Sequence, residues 1–359
     1  MDINNYNIIL ILLILFLLFL CYNNINGIIK YLNNIFMSDN KNNIIINEYL
    51  NNTLMDDNNN NIIINEYLNN TLMDDNNNNI IINGYLNTEK SLNIFKHIFK
   101  NIKYNINIYS NFDTINKIND NNNNLYIQYS GESYYNDINN YDINFISKKP
   151  DNNIILFPYG YFHLLYMNLN INYLINNRSY NNNNKKFCLF VVSNNSCWQR
   201  NNFFDKLSKY KKVDSYGNYL NNMDIKLDNG FDTDTFLNKI KEYKFMICFE
   251  NKSHEYYLTE KLINAYYGET IPIYWGCPQT TEYINTDSIL YINPEYDDQQ
   301  VNNIIDEIIL LDNDDNLYQQ KYEQSFFKNG QQPDDFNIDK IKEKVELLIN
   351  NNTQKISNY

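Results

Sequence analysis

The stretch FMICFENKSHEYYLTEKLINAYYGETIPIYWG, Phe245 to Gly276, decides how the rest of the chain reads. Phe245–Phe249 and Thr270–Trp275 are rich in β-branched and aromatic residues and bounded by polar or glycine positions, so each reads as a strand. Between them, Leu262, Ile263 and Tyr266 recur at helical spacing over Thr259–Tyr267. Thr259 serves as N-cap and Gly268 as the stop. Strand, polar loop, helix and second buried strand make the βαβ unit of a doubly wound sheet. Asn251, Tyr257, Glu260 and Lys261 then fall at the strand's carboxyl end and the helix start, where anionic ligands bind.

The whole chain sets bounds on this reading. Its 359 residues suffice for two domains with accessory segments. A net charge of −13 argues against a nucleic-acid surface, which needs a basic stripe. The five cysteines (Cys21, Cys188, Cys197, Cys248, Cys277) show no CxxC spacing, so a zinc site is not indicated. Cys248 and Cys277 flank strand-like runs and read as small buried apolar residues. Pairing of Cys188 with Cys197 stays open. Asparagine is so heavily used that Asn runs, and most of the sequons at Asn51, Asn69, Asn177, Asn194, Asn251 and Asn351, carry little information.

Outward from the central stretch, Phe187–Val192 is an apolar run typical of a buried parallel strand, ending in Ser193-Asn194-Asn195 and followed by Arg200. Val213–Gly217 reads as a further strand and turn, and Val301–Leu311 and Ile338–Ile349 have helical periodicity. Upstream, Leu125–Tyr129 looks like a strand running into Ser130-Gly131-Glu132-Ser133, then Tyr141–Ile146. Ile154–Phe157 with Pro158-Tyr159-Gly160 reads as the last strand and turn of a first domain. Residues 31–88 hold an 18-residue repeat: Ile44–Asp57 recurs as Ile62–Asp75, and a truncated third copy starts at Ile80. The repeats read as a stem, either helical or a flexible spacer. Ile8–Leu20 is an unbroken apolar run, short against the roughly 20 residues of a full span. It reads as an uncleaved anchor, with a cleaved signal-peptide core as the competing possibility.

Phe249-Glu250-Asn251, Tyr257-Leu258-Thr259-Glu260-Lys261 and Thr270-Ile271-Pro272-Ile273-Tyr274-Trp275-Gly276, in this order and spacing, resemble the donor-binding signature of the α1,3-fucosyltransferases, glycosyltransferase family 10. Their wording is closest to bacterial members. The resemblance covers roughly residues 120–295. It implies a GT-B architecture, two Rossmann-like domains with a cleft between, behind an N-terminal membrane anchor and stem. The corresponding boundaries are 1–30 for tail and anchor, 31–90 for the stem, 91–184 for an acceptor-side domain, 185–330 for a donor domain, and 331–359 for a C-terminal helix and tail. The type II-like placement implied is the Golgi or an equivalent secretory membrane.

The same resemblance implies transfer of L-fucose from GDP-fucose, with inversion, to a hydroxyl of a glycan acceptor, GlcNAc-type residues being the family default. Glu132 matches the proposed general base and Arg200 the pyrophosphate-binding arginine. Ser193, Asn251, Tyr257 and Lys261 would complete the donor site, and Glu260 would contact the donor sugar and stabilise oxocarbenium character. No cofactor is required on this reading, and divalent metal is at most stimulatory. Asp232-Thr233-Asp234 has the letters of a metal motif but lies in a polar loop before a helix, where an N-cap cluster explains it. Two alternatives stand beside this reading: an inactive, membrane-anchored glycan-binding relative, and a GT-B enzyme using another sugar nucleotide.

Overall fold

The computed structural model divides the chain into two units, residues 1–75 and 76–359. It describes residues 79–115, 123–181, 184–227 and 234–356, all in the second. The Ile8–Leu20 run, the first two repeat copies, Cys21 and Asp232-Thr233 lie outside the described residues. Among the described residues no helix is long and apolar enough to cross a membrane.

Among the described residues, ten strands form two five-stranded sheets, every pairing between neighbours parallel. The first holds β1 (Ile80–Ile82), β2 (Asn105–Ser110), β3 (Asn124–Tyr129), β4 (Ile143–Phe145) and β5 (Ile154–Ile155) in sequential order. The second holds β6 (Lys186–Phe190), β7 (Val213–Ser215), β8 (Tyr243–Ile247), β9 (Ile271–Tyr274) and β10 (Leu290–Tyr291), in the order β10-β9-β8-β6-β7. Helix α1 (Glu89–Ile98) follows β1, and α2 (Tyr159–Tyr166) follows β5. Then come α3 (Trp198–Ser208), α4 (Asp234–Ile240), α5 (Glu260–Tyr267), α6 (Asp298–Asn313), α7 (Asp315–Tyr322) and α8 (Ile338–Ile356). Shorter helical turns are left unlabelled.

In the second sheet the chain winds one way from β6 to β7 and then the other way to β8. Strand order therefore reverses between β6 and β8. Ligands of open α/β sheets sit outside the strand ends at such a switch point. The central stretch supplies β8, α5 and β9 as its periodicity predicts. Thr259 caps α5, its hydroxyl oxygen accepting from the Lys261 amide, and Gly268 closes the helix.

Two local expectations change. The third repeat copy is not stem: Ile80–Ile82 pairs with Ile106–Ile108 as an edge strand, and α1 spans the expected boundary at residue 90. One substitution sets this copy apart in sequence. Where the earlier copies carry Glu48 and Glu66, this copy has Gly84, at φ +66°, and a Cβ there would meet the Asp113 carboxylate at 2.2 Å. Secondly, Pro158-Tyr159-Gly160 does not merely turn; Pro158 caps the buried helix α2. The C-terminal helix α8 wraps the core, as its periodicity predicts. Ile341, Val345 and Ile349 join the core that holds Phe95 and Ile98 of α1, and Asp339 and Glu346 bond His97 and Asn101 at 2.8 Å each. Cys188, Cys197, Cys248 and Cys277 are all buried and free, so the Cys188–Cys197 pairing is not formed.

Candidate active site

The switch point is built around a buried acid. Glu250 follows β8 and is fully buried, its amide bonded to Trp275 O at 3.0 Å. Its carboxylate accepts from the Thr259 amide (2.8 Å), the Thr259 hydroxyl (2.7 Å), Tyr274 (3.3 Å) and Lys261 Nζ (3.3 Å). Gly276, at φ +152°, leaves the room this side chain needs: a Cβ would stand 2.4 Å from Glu250 Cγ. The acid thereby fixes the start of α5 and sets where Lys261 and Glu260 emerge.

Lys261 also meets Glu260 Oε1 at 3.5 Å. Burial alone would lower the lysine's pKa, but Glu260 and Glu250 outweigh it and raise it, so the ammonium is held charged. Burial pushes Glu260 upward too, yet Lys261 and then His163 outweigh that and leave it below the ordinary value. Glu250 stays raised, burial dominating, because two carboxylates share one ammonium.

Arg200 projects from the first turn of α3 and is 1% exposed. Nη1 donates to Asn251 Oδ1 at 2.9 Å and Nη2 to Asn194 O at 3.0 Å, so the guanidinium joins the loops that follow β6 and β8. Nε is buried and has no protein acceptor. Burial pulls the Arg200 pKa down, but a guanidinium stays protonated in proteins. Ser193 stands apart from this cluster, exposed at the start of its loop.

From the first sheet comes Glu132, on the turn after β3. The Tyr257 hydroxyl donates to its Oε2 at 3.3 Å. Tyr257 is buried, and burial, then Glu250 and Glu132, drive its phenol pKa upward, so it keeps the proton it donates. The backbone aims it: Tyr256, just before, lies at φ +56° with its amide on Gln279 Oε1 at 2.8 Å. A bulky side chain in the left-handed region is an uncommon, strained state. The α2 start closes on the same loop, Gly160 N bonding Leu258 O at 3.0 Å, and His163 meets Asn264 of α5 at 3.1 Å. A Cβ on Gly160 would sit 2.8 Å from Thr259 O, so only glycine permits this approach.

Residues 181–342 match the family model described as glycosyltransferase family 10 (fucosyltransferase), C-terminal part. That stretch is similar to the C-terminal part of family 10 fucosyltransferases. The chain is 35% identical over 134 residues to the alpha-(1,3)-fucosyltransferase FucT of Helicobacter pylori, covering 37% of this chain and 26% of that protein. It is 30% identical over 156 residues to the human GDP-fucose protein O-fucosyltransferase 3, covering 42% of this chain and 32% of that one. The chain thus spans about a third or less of the length of these relatives. A crystal structure of an alpha1,3-fucosyltransferase with GDP superposes with a TM-score of 0.58 at 19% identity, over 76% of this chain and 90% of the other. That likeness is one of fold: mixed α/β, built on parallel sheets.

Within residues 181–342 the fold brings Arg200, Asn251, Tyr257, Glu260 and Lys261 to one switch point. Sequence reasoning gave no role to Glu250, Thr259 or Tyr274 as the frame beneath them. The signal was present: an acid ending the otherwise apolar run Phe245–Phe249 must be buried, and a buried acid needs donors nearby. His163 carried no such signal, because its partner Asn264 lies 101 positions away. Among the described residues no cluster of three or more His, Cys, Asp or Glu is arranged to hold a metal ion.

Proposed function

We propose that this protein transfers L-fucose from GDP-fucose to a hydroxyl of a glycan, inverting the configuration at the sugar carbon and forming an α1,3 linkage. The observation that carries the reading is the 3.3 Å contact between Tyr257, within residues 181–342, and Glu132 of the first sheet. It sets a carboxylate against the loop inside the donor-type signature. In the proposed reaction Glu132 takes the proton of the acceptor hydroxyl as its oxygen bonds to fucose C1. The bond from C1 to the diphosphate breaks on the opposite face, and GDP leaves with the electron pair. Arg200 offers a fork of donors to the phosphate oxygens, with the acceptor-less Nε buried beside it, and Lys261 a point charge. Glu260, held ionised by Lys261, would stabilise positive charge growing on the fucose ring, while Asn251 and Tyr257 orient the donor. Ser193, exposed at the mouth of the loop, is assigned to the donor's edge.

Full-length protein incubated with GDP-fucose and N-acetyllactosamine, in buffer with chelator, tests this. Acceptor-dependent release of GDP is expected. Glu132→Gln should cut it at least about 100-fold while GDP still binds. Absence of GDP binding would overturn the reading. Release only with a protein acceptor would move the acceptor from a glycan to a side-chain hydroxyl, as the name of the human relative suggests.

A further inference from the structure

Beside Glu132 lie two large aromatic side chains that the fold does not bury. Tyr134 is 51% exposed and Phe112 59%, and their rings meet edge to face with centroids 5.8 Å apart. They come from neighbouring strand ends, β2 and β3, and a polar lacing fixes both turns. The Ser130 hydroxyl donates to Tyr134 O at 2.6 Å and accepts from the Glu132 amide at 3.2 Å. One hydroxyl therefore sets the backbone spacing between the carboxylate residue and the ring. On the other turn, Asp113 Oδ2 accepts from the Ser110 amide (2.8 Å) and hydroxyl (2.7 Å), and Ser110 Oγ accepts from the Phe112 amide at 3.3 Å. Asn136 ties the two together, donating to Asp113 O at 3.3 Å.

We propose that Phe112 and Tyr134 form the platform on which the acceptor's pyranose ring rests. This extends the assignment of Glu132 as base and rests on it. A pyranose carries C–H groups on its faces and hydroxyls around its rim. An aromatic face is electron-rich and apolar, so it takes the C–H face and leaves the rim free. With the ring seated there, a rim hydroxyl reaches the carboxylate two residues from Tyr134. Asp113, Glu132 and Asp137 share these two turns, so the platform suits a neutral sugar and disfavours one bearing a carboxylate.

The test separates this subsite from the transferase reading by measuring binding instead of turnover. Full-length protein saturated with GDP is titrated with N-acetyllactosamine, in wild type, in the Phe112→Ala/Tyr134→Ala double variant and in Tyr134→Phe. The double variant should bind the saccharide at least about tenfold more weakly, the scale of losing an aromatic anchor. Tyr134→Phe keeps the ring and should stay within about twofold. GDP affinity, unchanged in all three, certifies the fold. Unchanged saccharide affinity in the double variant overturns the platform, as does a wild type that binds GDP but no saccharide. Saccharide binding that falls with the double variant in a protein unable to bind GDP would uphold the platform and reject the transferase.

Discussion

Lys261 faces two carboxylates at once, and one of them, Glu250, has no access to solvent. Removing the lysine strips a fully buried acid of the one cation within ion-pair distance among the described residues. Breaking a buried pair from one side costs about 3–5 kcal/mol, so Lys261→Ala should lower the urea midpoint accordingly. Adding Glu250→Gln to that variant should recover a large part, since a neutral amide still accepts from the Thr259 amide and hydroxyl. A loss below about 1 kcal/mol for Lys261→Ala would mean the ammonium serves the ligand alone. This dual employment explains why Lys261 was legible as a binding residue while Glu250 was not. The first announces itself at a helix start; the second shows in sequence only as an acid closing an apolar run, and its task appears once its four donors surround it.

At the scale of elements, one position separates the repeat copy that holds β1 from the copy before it. Ile80–Leu86 and Ile62–Leu68 differ only where Gly84 replaces Glu66. Gly84→Glu would restore the repeat consensus, force a side chain into the left-handed region and set one carboxylate on another. We expect a loss of about 2 kcal/mol or more, read as a lower thermal midpoint of the full chain. An unchanged midpoint would show that β1 tolerates any copy. Most other elements followed the sequence closely: β3, β6, β8, β9 and α5 have apolar runs or 3.6-residue periodicity that no reading could miss. Strand β2 was hidden because its outward positions are Asn105 and Asn107, which look like more of the chain's ubiquitous asparagine. Its alternation with the buried Ile106 and Ile108 is ordinary strand patterning. Helix α2 was hidden for a different reason. Pro158 and Gly160 are turn letters, and here they serve a helix cap and a close backbone approach.

At the scale of the whole molecule, the chain crosses from the first sheet to the second through residues 176–186. Arg178 anchors that crossing, its guanidinium between the Tyr266 and Tyr322 rings at 3.8 and 3.9 Å and bonded to Tyr322 O, Tyr266 O and Thr270 O. Lys185 donates to Glu269 O nearby, and burial lowers its pKa from 10.5 to about 8. A lowered lysine means that the unfolded chain binds the proton more tightly, so the charge opposes folding below pH 8 and that opposition fades up to 10.5. Wild type should therefore gain stability relative to Lys185→Met as pH rises from 8 to 10.5, measured by urea unfolding at each pH. A constant difference across that window would show that Lys185 keeps its ordinary affinity for the proton.

The return crossing has its own consequence. After α7 the chain runs back, Phe326 and Phe327 bonding Leu174 O, and lays α8 against α1. The first half is thus completed by sequence drawn from beyond the second. A protease nick in the first crossing would yield two pieces, neither of which could keep its hydrophobic surface covered alone. The amino-terminal piece would lack the helix that shields α1, and the carboxyl-terminal piece would carry that helix with nothing to cover. The cut molecule stays clasped for the same reason that a buckle holds after its strap is trimmed.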